Sequence, residues 1–377
     1  MSNSQLKKFM GRAMELARKG IGFTSPNPAV GAALVNKGKI IGEGWHRRAG
    51  AEHAEVIALE EARRAGKKMS GATLYVTLEP CCHFGKTPPC VNKIIASGVR
   101  KVVIGMKDPH SKVNGGGARA LRKAGIKVEL LDKKNIFYKK IKMMNQPFIK
   151  WATIGLPYVI LKAAVSMDGK IAARIGESKW ITGVEARKDS RLERSRCDAV
   201  LVGAGTVLAD NSELAPYGKY CREPLLRVII DVDLSSASNL KRKIFRDKNV
   251  FIACTDKAPV RLRRKLKKAM IEFASFGKNR VSIRKLLEYL AKQKITSVFV
   301  EGGAGVNGAF YDAALKDPKI IDKVIFYIAP KIIGGVDSLS VVGGKGVEKL
   351  GEVLKLGDIV VESIFTDVKT TAIANYY

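Results

Sequence analysis

Apolar positions recur at helical spacing from Gln5 to Lys19, where Leu6, Phe9, Met10, Ala13, Leu16 and Ala17 share one face and Gly20 ends the run. Two apolar stretches follow at 30–36 and 39–44, and Lys37-Gly38 between them predicts a hairpin. The pattern then predicts a helix over 53–64 closed by Gly66 and a strand over 73–78. A helix over 89–97 with proline in its first turn, a strand over 99–106 and a helix over 117–124 come next. Residues 133–150 are basic and partly helical and read as a connection. Beyond them, apolar runs at 158–164, 199–203, 226–231, 249–254, 297–300 and 323–328 alternate with helical stretches such as 185–194 and 283–292. Runs without polar alternation suit a sheet buried on both faces. Two α/β domains are expected, 1–146 and 147–377.

Composition narrows the class. With 46% hydrophobic and 27% charged residues the chain can build a core, which excludes wholesale disorder. No apolar run approaches the roughly 18 to 20 residues of a membrane span, and the first residues lack a secretory signal, so a soluble, cytoplasmic protein is expected. Six cysteines are too few for a disulfide scaffold in a chain of 377 residues. Sixty-seven basic against 35 acidic side chains leave a net charge of +32, of which +19 falls in residues 1–150 and +13 in the remainder. A charge spread over both halves reads first as a solvated surface, then as attraction for anionic substrates or nucleic acid. The run from Arg261 to Lys268 fits an amphipathic helix with Leu262, Leu266 and Ala269 on its apolar face.

All four histidines and three of the six cysteines lie within the first 110 residues. His53 and Glu55 open one predicted helix, Cys81 follows a strand end and Cys90 opens the next helix. One imidazole and two thiolates give zinc three protein ligands and leave the fourth position to water. In a helix interior residues two apart point about 200° from each other, but at the first turn both can flank an ion off the helix mouth. Glu55, outside the ligand set, is then free to carry protons. Cys82 is the alternative thiolate, but two neighbouring thiolates rarely fit one small site. His83 is a further candidate ligand but reads first as a substrate contact.

His53-Ala54-Glu55 together with Thr77-Leu78-Glu79-Pro80-Cys81-Cys82-His83-Phe84-Gly85-Lys86-Thr87-Pro88-Pro89-Cys90 resembles the cytidine-deaminase superfamily. The nine-residue step between the cysteines, and Pro26-Asn27-Pro28 with Val30-Gly31 upstream, resemble the deaminase half of the bifunctional riboflavin-biosynthesis deaminase/reductases. That resemblance implies a cytidine-deaminase-like three-layer α/β domain that hydrolyses an amine from 2,5-diamino-6-hydroxy-4-(5-phosphoribosylamino)pyrimidine. Asn27, His83 and Lys86 would contact the pyrimidine and its ribose phosphate. Asp108-Pro109 fits the family as well, whereas His110-Ser111 departs from its usual Asn-Pro.

Three patches mark the second half: Leu161 to Ile171 with Glu177 to Thr182, Val202 to Asn211, and Val300 to Gly308. In each a strand runs into a Gly-rich or Ser/Thr-rich turn, where α/β sheets commonly bind ligands. Gly303, Gly305 and Gly308 spell G-x-G-x-x-G between a strand and a helix, suited to cradle a diphosphate on backbone N–H groups. Together the patches resemble the reductase half of the same family, which implies a dihydrofolate-reductase-like fold that uses NADPH. Ala164, Trp180, Thr206, Asp210 and the loop Gly303, Ala304, Gly305, Val306, Asn307, Gly308 and Ala309 would hold the dinucleotide. Ser178, Arg194, Leu214 and Glu301 would hold the substrate, Arg194 as a fixed charge for its phosphate. After Asp210-Asn211 the family usually shows Pro-x-Leu-Thr-x-Arg; Ser212 to Tyr217 here lacks that arginine. Arg222, or less readily Lys219, is expected to supply the missing cation.

The expected protein is therefore a bifunctional enzyme with one zinc per chain, NADPH, small phosphoribosyl pyrimidine substrates, no membrane and a homo-oligomeric state. The rival reading is a nucleic-acid base deaminase with an appended recognition domain. It draws on the basic balance but has no use for Trp180, Thr206 and Asp210, and it predicts strongly salt-dependent binding to RNA or DNA.

Overall fold

The helix expected over 5–19 runs over Asn3–Arg18 (α1) in a computed structural model of the chain, which describes residues 3–82, 89–110, 114–218 and 225–374. The chain divides into two compact units, Met1–Gly155 and Leu156–Tyr377. In the first, β1 (Gly31–Asn36) and β2 (Lys39–Trp45) form the expected hairpin, with Lys37 and Gly38 both in the left-handed region that its tight turn requires. Next come α2 (Ala54–Arg64), β3 (Thr73–Leu78), α3 (Cys90–Ala96), β4 (Lys101–Met106), α4 (Gly116–Lys123), β5 (Lys127–Leu130), α5 (Ile136–Met144) and α6 (Gln146–Ile154). The sheet order is β2-β1-β3-β4-β5, antiparallel through β1 and parallel from β3 to β5. α1 and α5 pack together on the sheet, while α2, α3 and α4 pack as a second group, completing three layers. α2 lies directly on β2 because Gly42 and Gly44 carry no side chain: a Cβ there would stand 2.1 Å from the Ala58 carbonyl and 2.3 Å from that of Ala54.

The stretch expected to be a connection is part of this unit. Ile141 and Phe148 are buried in its core, and Ile149, Trp151 and Ala152 pack against it. The division accordingly falls after Gly155, which caps α6 in the left-handed conformation, rather than after residue 146.

The second unit contains β6 (Tyr158–Ser166), α7 (Val184–Ser195), β7 (Ala199–Gly203), α8 (Ala204–Asp210), β8 (Leu226–Ile230), β9 (Val250–Cys254), α9 (Val260–Ala269), β10 (Glu272–Ser275), α10 (Ile283–Lys292), β11 (Ser297–Val300), α11 (Ala304–Lys316), β12 (Lys323–Ala329), β13 (Leu356–Ile364) and β14 (Asp367–Ala374). They form one nine-stranded sheet, order β10-β9-β8-β7-β11-β6-β12-β14-β13, parallel from β10 to β12 and closed by an antiparallel hairpin. β7, β9 and β11 are buried nearly throughout, as expected for strands covered on both faces. β13, by contrast, is an exposed edge carrying Ile359, Val360 and Val361. No helix among the described residues is long and apolar enough to cross a membrane.

Candidate functional site

His53 is the N-cap of α2: its backbone is extended, its carbonyl accepts the Ile57 N–H at 3.1 Å, and its side chain takes no part in capping. The imidazole turns instead toward two sulfurs. Nδ1 lies 3.0 Å from Cys90 Sγ and 3.5 Å from Cys81 Sγ, and the sulfurs are 3.4 Å apart. Cys81 follows the end of β3, and Cys90 begins α3 behind Pro89, which stands at the cap rather than inside the first turn. A tetrahedral zinc with bonds of about 2.05 Å to nitrogen and 2.3 Å to sulfur sets donor separations of about 3.6 Å for N···S and 3.8 Å for S···S. The three atoms stand close to that spacing, and the donor set, one borderline nitrogen and two soft sulfurs, fits zinc. Cys82 lies outside the set: its sulfur packs where a Cβ on Gly116 would be, 2.6 Å away.

The Cys81 thiol is pushed down to about 4 by its hydrogen bonds with Cys90 and His53, one of them from the Cys90 backbone N–H at 3.3 Å. Glu55, in the first turn of α2, is buried against the Cys90 thiol, and desolvation pushes its carboxyl up to about 7. A buried carboxyl of that kind exchanges protons readily near neutrality.

Asn27 and His46 stand beside this group. The Asn27 amide lies 3.0 Å from His46 Nε2, His46 Nδ1 lies 3.1 Å from the Glu52 carbonyl, and the His46 ring meets the His53 ring edge-on. A carbonyl can only accept, so Nδ1 carries the proton. Burial pushes the His46 pKa down and keeps the ring neutral, so Nε2 accepts from the Asn27 NH₂ group. The Asn27 oxygen is thereby left as the acceptor of that amide. The sequence assigns His46 no role: it directly follows β2, outside the His-x-Glu and Glu-Pro-Cys motifs. Asp108, also buried, is pushed up to about 6 by desolvation, with the Glu79 and Cys81 charges adding to it. His83 and Lys86 lie outside the described residues.

In the second unit, the register of three neighbouring parallel strands, β7, β11 and β6, sets Glu301, just past the end of β11, level with Val202 beside Gly203 and with Lys162. β6 runs on beside β12 to Ser166, so Ala164 lies on the stretch that projects beyond Glu301. Asp168 accepts from Ser166 Oγ at 2.5 Å and from the N–H groups of Ile333 and Gly334 at 3.1 and 2.7 Å, which ties the turn after β6 to the loop after β12. α8 and α11 start side by side: a Cβ on Gly203 would stand 2.8 Å from Val306. Thr206 lies within α8, and Asp210 at its end pairs with Lys179 at 2.8 Å. Trp180 is 60% exposed, with the Arg187 guanidinium 4.3 Å from its ring. Ser178 shares its exposed loop.

The G-x-G-x-x-G run divides. Gly303 caps α11, so the N–H groups of Ala304, Gly305 and Val306 belong to the open first turn, and nothing stands within 4 Å of a Cβ built on Gly303 or Gly305. Asn307, Gly308 and Ala309 lie deeper in the helix. The Asn307 N–H bonds to the Gly303 carbonyl, its side chain donates to the Val341 carbonyl at 2.8 Å, and Gly308 is pressed against Gly343. These three have their backbone donors taken up by helix geometry, which leaves the first turn to meet an anion.

Arg194 and Glu301 come together, but on each other. Arg194 Nη1 donates to Glu301 at 3.2 Å and Nη2 to the Ala215 carbonyl at 2.9 Å, both largely buried. The guanidinium expected on a phosphate is therefore engaged with protein groups. Leu214 is buried in the apolar cluster with Val207 and Val250, so its backbone is the part left for a ligand. Lys162, unassigned in the sequence, is the third charge here: burial pushes its ammonium down while Glu301 opposes that shift. Its signal was a lysine inside an otherwise apolar strand. Tyr217, at the place of the absent arginine, donates its N–H to Ser195 Oγ at 2.6 Å and lies under the Arg191 guanidinium at 5.6 Å. Arg222 and Lys219 lie outside the described residues.

Two family models match the chain, the cytidine and deoxycytidylate deaminase zinc-binding region over residues 3–106 and the RibD C-terminal domain over 157–370. The riboflavin biosynthesis protein RibD of Bacillus amyloliquefaciens is 40% identical over 370 residues, 97% of this chain and 95% of its own. That of Escherichia coli K12 is 38% identical over 91% of this chain and 92% of its own. The crystal structure of a diaminohydroxyphosphoribosylaminopyrimidine deaminase/5-amino-6-(5-phosphoribosylamino)uracil reductase from Thermotoga maritima superposes with a TM-score of 0.85 at 36% identity, covering 98% of this chain and 99% of that one.

Proposed function

The chain belongs to the RibD family of riboflavin-biosynthesis deaminase/reductases, and from that premise we propose how its residues divide the two reactions. It is a bifunctional enzyme of riboflavin biosynthesis with a zinc-dependent deaminase unit and an NADPH-dependent reductase unit, acting on small pyrimidines. The nucleic-acid reading is set aside, because the second half matches a reductase domain and not a recognition module.

In the first unit His53, Cys81 and Cys90 would hold the zinc, which when bound would acidify a water at its open position. A carboxylate oxygen of Glu55 takes the proton from that water and returns it to the departing amine, as its burial beside Cys90 allows. The Asn27 oxygen, aimed by His46, accepts from an N–H of the pyrimidine ring system. The substrate is 2,5-diamino-6-hydroxy-4-(5-phosphoribosylamino)pyrimidine, and His83 and Lys86 contact it as well.

In the second unit NADPH, when bound, would supply the hydride that C1′ of the ribosyl group takes up as its C1′–O4′ bond breaks and the ring oxygen receives a proton, leaving a ribityl chain. The first turn of α11, from Gly303 to Val306, takes the diphosphate on its free N–H groups, with Ala164, Trp180, Thr206 and Asp210 completing the cofactor's surroundings. Lys162 and Glu301 face the reacting sugar. Arg194 holds Glu301 in place, and Arg222 with Ser178 and the Leu214 backbone completes the phosphate side. The exposed apolar edge of β13 meets the same strand of a second copy, giving the homo-oligomer.

The observation that carries the deaminase assignment is the buried Glu55 beside three zinc donors. Mass-spectrometric detection of product, with and without NADPH, tests the whole reading. The deaminated pyrimidine accumulates without NADPH and the ribityl product forms with it. Glu55→Gln retains zinc and releases no ammonia, because it removes proton transfer and no ligand; normal ammonia release by that variant refutes the assignment.

A further inference from the structure

We propose that Glu79 is a positioning residue of the deaminase, its carboxylate locking the segment that carries Asp108 and His110 onto the strand end that carries Cys81. The Glu79 side chain is buried and accepts three backbone hydrogen bonds. Oε1 takes the Ala118 N–H at 2.9 Å, and Oε2 takes those of Gly115 at 2.9 Å and Asp108 at 3.2 Å. The donors come from both ends of one excursion of the chain, Asp108 just after β4 and Gly115 with Ala118 at the first turn of α4. One carboxylate thus pins the two ends of the excursion to the residue before Pro80-Cys81.

The steric fit repeats the electrostatic one. A Cβ on Gly117 would stand 2.0 Å from the Pro80 carbonyl oxygen, and one on Gly116 would stand 2.6 Å from Cys82 Sγ. The first turn of α4 reaches the Glu-Pro-Cys segment only because successive glycines leave room. The consequence lies in what the excursion presents. The Asp108 carboxylate is buried and accepts the His110 N–H at 2.8 Å. On the deaminase reading the segment that carries Asp108 walls the site, and Glu79 fixes its distance from the strand end that carries Cys81.

The inference rests on the deaminase reading, so both are tested in the full-length, zinc-loaded protein. Glutamine at position 79 keeps the size of the side chain but sets an NH₂ group against either the Ala118 N–H or the N–H pair of Gly115 and Asp108, so donor meets donor and the clamp loosens. Glu79→Gln should raise the deaminase KM by about ten- to a hundredfold while kcat stays within about threefold, since a misplaced wall weakens binding before it affects proton transfer. Zinc content and NADPH turnover of deaminated substrate should be unchanged. Glu79→Asp, with the charge kept but the reach shortened, should fall between. Gly117→Ala parts the same elements with the carboxylate intact and should reproduce the KM effect. Loss of zinc in Glu79→Gln, a fall in kcat at constant KM, or an unaltered KM in either Glu79→Gln or Gly117→Ala overturns the proposal. Failure of the wild-type protein to release ammonia overturns the deaminase reading instead.

Discussion

Alanine at Gly308, set against alanine at Gly305, separates two jobs performed by one glycine-rich run. A Cβ on Gly308 would lie 2.4 Å from the Gly343 carbonyl carbon and 2.6 Å from both the Gly343 oxygen and the Gly344 nitrogen, all of them backbone. Ordinary contact begins near 3.4 Å, so α11 or the 341–344 segment must retreat by about 1 Å. Such overpacking costs about 1 to 3 kcal/mol, against a gain of about 0.5 to 1 kcal/mol for replacing glycine in a helix. Because every atom met is backbone, the upper half of that cost applies, and the net loss of about 1 to 2.5 kcal/mol lowers the melting temperature of a unit this size by about 2 to 10 °C. Gly305 has nothing within 4 Å, so alanine there leaves the melting temperature unchanged or slightly higher. Its methyl group, however, would stand on the face proposed for the diphosphate, and loss of about 1.4 kcal/mol of binding is a tenfold rise in the NADPH KM. Thermal unfolding and NADPH-dependent reductase kinetics on both variants read the two effects. A Gly305→Ala enzyme with a normal NADPH KM, or a Gly308→Ala enzyme as stable as the parent, refutes the division.

Three further outcomes are expected. Cys81→Ala, assayed in the full-length chain with deaminated substrate, should lose zinc but keep NADPH turnover, because the reductase residues all lie beyond Gly155; loss of turnover in a folded protein argues against independent sites. Arg222→Ala should lower reductase kcat/KM for the phosphorylated substrate about ten- to a hundredfold, the worth of a charge-assisted contact, and spare its dephosphorylated analogue. If Arg222→Ala and Lys219→Ala both leave that discrimination intact and Tyr217→Phe reduces it, the tyrosine hydroxyl is the phosphate contact. Val361→Lys on the exposed edge of β13 should convert the oligomer to monomer in light scattering, and an unchanged mass excludes this strand as the interface.

The zinc donors were legible because each sits at the end of a short element whose start or stop is written locally: His53 before an apolar helical run, Cys81 after Glu-Pro, Cys90 after Pro-Pro. The Arg194–Glu301 pair was not, since 107 residues separate two charges that only the sheet order brings together. The same holds for Glu79, whose partners are backbone N–H groups and leave no mark on residue identity. The β13–β14 hairpin escaped notice because exposed valines at an edge break the alternation by which a half-buried strand is recognised. Residues 133–150, which hold α5 and the start of α6, read as a connection because their apolar core residues, Ile141, Phe148 and Ile149, are diluted by lysines.

The step from Gly155 to Leu156 has a meaning for how such a chain can change over generations. On one side a helix closes on its own glycine, and on the other a buried leucine precedes the first strand of a new sheet. The described core of the first unit draws no residue from beyond this step, and the two core clusters described in the second draw none from before it. A genome can therefore split, swap or duplicate either half with one cut between two codons, and a substitution that loosens one core leaves the packing of the other as it was. Two catalysts inherited as one gene in this way remain open to separate histories of selection.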